Sequence, residues 1–191
     1  MEINTWWGVI EQARAAVGDR AGDRNLPDDP LPAALVDVLA TLEPTEIIDF
    51  YVKHVELTDS AYRYPLMWAA FLIEGSFMDD GFMDFRDGLM LLGQETFTRA
   101  VTDPDSLADL PVVVSMSREE GAGWIGYETL GYLIKDAYQR VQGETDSLDT
   151  ALEAAIEGMT RPEKPSGDNW DPECDDAMRR HLPRLAALFL E

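Results

Sequence analysis

Cationic side chains are scarce in this sequence: 15 lysines and arginines stand against 37 aspartates and glutamates, a formal net charge of −22. A field that negative repels a phosphate backbone, so direct nucleic-acid binding is not expected, and anionic membrane surfaces are disfavoured on the same ground. Basic proteins, cationic small molecules and divalent metals stay open as partners. Cysteine is nearly missing. Cys174 alone makes no internal disulfide, which is consistent with a reducing cytoplasm. The carboxylates of Asp171, Glu173, Asp175 and Asp176 around it make it a poor nucleophile. The only histidines, His54 and His181, lie far apart in sequence, and without an HExxH pair a zinc site would need distant ligands. GxSxG elbow, P-loop and EF-hand spacings are also missing. No long apolar run occurs either. The opening MEINTWWGVIEQ is acidic and amphipathic, neither a secretion signal nor a membrane span, so cytoplasmic residence is the expectation.

What is present is enough apolar content, 46% of 191 residues, to bury a sizeable core in one domain. The chain is organised around Trp68–Gly93, where apolar residues recur at helical spacing on both sides of an acidic break. Trp68, Leu72 and Gly75 precede the break, and Phe82, Phe85, Leu89 and Leu92 follow it. Gly75 supplies a helix stop, and Asp79 or Asp80 an N-cap for the next helix. The expected fold is therefore all-α: a single irregular domain of about seven to nine helices built on a central helix-loop-helix pair.

Other segments follow from the same rules. Asn4 or Thr5 can cap a first helix burying Ile3, Trp7, Ile10, Ala13 and Val17 and ending at Gly18, with Trp6 at its edge. Residues 18–30 and 161–176 read as polar linkers. Helices are expected over Leu31–Leu42, from Pro44 to about Arg63, and again from Pro65. Asp103 and Pro104 pair a cap with a helix-start proline, while Val112, Val113 and Val114 read as an extended connector after Pro111. A Ser117/Glu120 capping box predicts a helix presenting Trp124, Tyr127, Ile134 and Tyr138 on one face and ending at Gly143. Ser147–Met159 and Ala177–Leu190 complete the set, with a kink or restart at Pro183.

The run Trp68, Ala69, Ala70, Ile73, Gly75, Asp79, Asp80, Phe82, Phe85, Arg86, Leu89, Gly93, followed by Thr102-Asp103-Pro104-Asp105-Ser106-Leu107, resembles a bacterial family catalogued only as a domain of unknown function. The opening Trp6, Trp7, Gly8 and Ile10 and the closing Leu182-Pro183-Arg184-Leu185 extend the likeness over most of the chain. Where members typically carry a more polar Gly-Gly-Cys-Ser type link, this chain has Gly75-Ser76-Phe77-Met78. The resemblance implies no activity, because none is assigned to the family.

Two constellations invite a chemical reading. GAGWIG at 121–126 matches a dinucleotide fingerprint by letter, but no strand leads into it, and Glu119 and Glu120 would repel pyrophosphate. Close packing is the better account, and no cofactor is expected. Glu74, Asp79, Asp80 and Arg86, with Trp68 nearby, form the best polar cluster. Its carboxylates can hold a divalent cation or supply a general base beside an anion-orienting arginine; equally, they can cap the helix and pair with Arg86. Trp170 stands alone in the second linker, either tucked back onto the body or exposed to a partner. With no catalytic set, the chain reads as an acidic interaction or regulatory factor for a basic protein, immunity-like or nucleic-acid-mimicking, rather than as an enzyme. The competing reading is a ligand- or metal-binding enzyme with its cleft at Glu74, Asp79, Asp80 and Arg86.

Overall fold

A computed structural model of the chain describes residues 1–22, 29–75, 79–118, 123–128 and 130–190. Among them there is no strand; the nearest approach is an isolated parallel bridge between Arg63 and Ser166. The all-α expectation holds. The helices gather into two compact units, each assembled from separated stretches of chain: among the described residues, 1–22, 29–59 and 130–161 in one, 60–75, 79–118, 123–128 and 162–190 in the other.

The first unit contains α1 (Ile3–Val17), α2 (Leu31–Leu39), α3 (Pro44–Ser60), α8 (Leu130–Gln142) and α9 (Asp146–Ile156). α1 starts earlier than its polar residues suggest: the Glu2 carbonyl accepts the Thr5 and Trp6 amides, so Asn4 and Thr5 lie inside the helix. Trp6 is not at an edge. It is fully buried beside Trp7, which is 3% exposed. The physical reason is that α1 packs on α2 and also reaches α3, so its buried arc is wider than one stripe. The Trp6 ring lies parallel to Phe50 of α3 at 4.9 Å, and its Nε1 donates to the Phe50 carbonyl at 3.0 Å. Trp7 meets Trp6 edge-on, ring planes 89° apart. α3 begins with Glu43 in the cap position, its amide donating to the Glu46 carboxylate three residues on at 3.0 Å. It ends at Ser60, short of Arg63.

The second unit contains α4 (Tyr64–Glu74), α5 (Asp79–Leu91), α6 (Gln94–Thr102), a 3₁₀ turn (Pro104–Asp109), α7 (Pro111–Ser117), α10 (Asp175–His181) and α11 (Pro183–Phe189). Gly93, at φ 99°, separates α5 from α6, and Pro183 restarts the chain as α11. Two expectations are overturned here. The three valines are helical, not extended: Pro111 sits in the first turn of α7, and burial of Val113 outweighs the weak helix preference of β-branched residues. Conversely, Gly123–Tyr127 is non-helical and α8 starts only at Leu130. Ser117 closes α7, its hydroxyl donating to the Val114 carbonyl at 2.9 Å, while its proposed box partner Glu120 lies outside the described residues.

Candidate functional site

The α4–α5 corner is built from its glycine outward. Gly75 adopts the left-handed conformation (φ 68°) with its amide on the Phe71 carbonyl, which stops α4 as the sequence predicts. α5 then buries Phe82, Phe85 and Leu89 completely, the spacing i, i+3, i+7 placing all three on one side. Residues 76–78 and the side chain of Asp79 lie outside what the structure describes, and with them the aspartate cap.

Segment 123–128 runs against this corner. The Glu74 carboxylate oxygen Oε1 accepts the Ile125 amide at 2.7 Å and the Gly126 amide at 3.0 Å, across 51 and 52 residues of sequence. The Tyr127 amide donates to the Asp84 carbonyl at 2.8 Å. Gly88 completes the fit: a Cβ there would stand 1.7 Å from the Ile125 carbonyl oxygen, so only glycine lets the backbones approach this closely. The second half of the GAGWIG stretch is therefore a packing element, with Ile125 buried and Trp124 43% exposed. That corrects the expectation of Trp124 on one face of a helix. Its Gly121 and Ala122 lie outside the described residues.

Arg86 is buried at 7% exposure. Its guanidinium carbon sits 4.9 Å from the Tyr62 ring centroid and 4.7 Å from that of Phe82, and its Nε donates to the Phe82 carbonyl at 3.1 Å. Trp68 is also inside, its Nε1 donating to Asn169 Oδ1 at 3.1 Å, with Tyr64 stacked on its ring. Asp80 is exposed. Glu74 and Arg86 thus each hold a distinct piece of backbone.

Sequence reasoning missed Asp84. Burial pushes its carboxyl above the usual carboxylate range, and the negative charges of Glu128, Asp87 and Asp80 push it further. Asp80, Asp84 and Asp87 repeat at helical spacing and could have been read as one acidic face, whereas Glu128 joins them only through tertiary structure. Among the described residues no group of three or more histidine, cysteine or acidic side chains is placed to hold a metal ion.

A second polar node forms at the 3₁₀ turn. Asp105, 8% exposed, accepts the Arg184 amide on both carboxylate oxygens at 3.0 and 3.1 Å and the Leu185 amide at 2.9 Å. It therefore caps α11 from 79 residues away in sequence. Asp103 makes no such side-chain bond. Asp109 bridges Arg99 and Arg184, whose hydrogen bonds hold its carboxyl below the ordinary range, Arg184 contributing most.

The 161–176 linker is mostly exposed, yet it is tied down. Arg161 grips Asp59 through Nε and Nη2 at 2.7–3.2 Å within the first unit. In the second, the Ser166 amide donates to the Tyr62 carbonyl at 3.0 Å. Trp170 tucks back: its ring stacks on His181 at 4.2 Å, and its Nε1 meets the Met178 sulfur at 3.1 Å. His54 is buried in α3, and Cys174 is exposed just before α10.

The model of a family described as "Protein of unknown function (DUF4240)" matches residues 1–140. No curated protein and no solved structure matches the chain. The match ends inside α8, so α10, α11 and the Leu182–Leu185 part of the resemblance lie beyond it.

Proposed function

The chain belongs to the DUF4240 family, and from that premise we propose that it works in the cytoplasm by binding another protein, a basic one, as a regulatory factor. An immunity-like or nucleic-acid-mimicking action would both fit a carrier of charge −22. The observation that carries the reading is the gathering of Glu128, from a separate segment, with Asp80 and Asp87 around Asp84, whose carboxyl is pushed up first by burial and then by their negative charges. A cationic partner surface would relieve that repulsion on contact, and such steering weakens as salt screens it. Among the described residues no helix is long and apolar enough to cross a membrane.

The carboxylate/arginine cleft is the less supported reading, because Glu74 is bound to two amides and Arg86 lies on two aromatic rings. The test is capture of partners by the tagged chain from its native lysate at low and moderate salt. A basic protein should be retained at low salt, released at moderate salt, and lost from the triple variant Asp80→Asn, Asp84→Asn, Glu128→Gln. Retention of nothing at either salt abandons the proposal. Thermal shifts with magnesium, calcium and manganese address the cleft: an Asp80-dependent rise in Tm would favour it instead.

A further inference from the structure

We draw no further inference here: the strongest candidate, the open groove of about 460 Å³ between α1 and α2 floored by Ala16, Ala33, Ala34 and Val38, is an unpartnered apolar face, and nothing in the structure shows what covers it.

Discussion

The two units solve the same problem, packing short helices, with different side chains. In the first, the polar groups buried among the described residues are His54 and Thr58, and its ion pairs lie at the surface, Arg140 on Asp37 and Lys135 on Asp149. Its centre is aromatic and aliphatic: Trp6 on Phe50, with Ile10, Leu35, Leu39 and Ile47 fully or almost fully enclosed. The second unit takes acids and an arginine inside, burying Arg86, Asp87 and Asp105, and uses Glu74 and Asp105 to satisfy backbone amides far away in sequence. Exposed pairs of the first kind contribute little each. A carboxylate holding buried amides does more, because its removal leaves donors unsatisfied in a poorly solvated place. The lesson is that acidic residues in a chain this negative need not all be surface charge; some replace the capping and turn chemistry that the local sequence does not provide.

Substitutions can break or sharpen this contrast. Trp6→Ala should cost the most, about 4 kcal/mol in urea unfolding, as a large ring is lost from a closed core. Trp6→Phe, which keeps a ring on Phe50 but loses the donor and part of the indole, should cost less, about 2 kcal/mol; a loss equal to that of Trp6→Ala would mean that the first unit also depends on its polar link. Gly88→Ala should cost about 3 kcal/mol, because the obstacle is the Ile125 backbone rather than a side chain that can turn away. Glu74→Ala should follow at about 2 kcal/mol, with Glu74→Gln milder because its amide oxygen still accepts from Ile125 and Gly126. Amide exchange at Ile125 and Gly126 should accelerate in Glu74→Ala and stay slow in Glu74→Gln, an ordering that a merely electrostatic role for Glu74 would not produce.

The smallest effect is one of pH, and its sign separates two aspartates. Asp84 has its folded pKa raised, so its contribution to stability is present at acidic pH, below the unfolded carboxylate range, and is lost as pH rises through the folded value. Asp84→Asn should therefore raise Tm at pH 7 by about 1–2 °C and show less benefit near pH 3. Asp109, whose pKa is lowered, stabilises above the unfolded carboxylate range and loses that contribution as pH falls through its folded value. Asp109→Asn should shift Tm at neutral pH in the opposite direction. Matching signs in the two variants would refute the contrast between repelled and paired carboxylates.

The helical pair α4–α5 was legible because Phe82, Phe85 and Leu89 repeat at a spacing only a helix can exploit, and Gly75 and Pro65 punctuate its ends. Burial of both tryptophans was not, since one helix viewed alone offers a single stripe, and the second face of α1 exists only because α3 brings Phe50 to it. Val112–Val114 misled for a related reason: β-branched residues favour strands on average, but here Pro111 starts a turn and Val113 has a core to enter. At the corner, Glu74 and Arg86 stand out in sequence as opposite charges near a helix break. Among their partners, the Ile125 and Gly126 amides and the Tyr62 ring come from segments that no local spacing rule connects, while Phe82 stands one helical turn before Arg86.

The clasp between Asp105 and the start of α11 bears on where this chain can be cut. A fragment ending at residue 140, where the family match stops, would remove the seven-residue helix that covers parts of α4 and α7. Water would then reach apolar walls that Leu185 and Ala186 now seal, and Asp105 would have no amides to hold. The shortened molecule would be prone to stick to itself, and partner capture with it would report on that new stickiness as much as on the native surface.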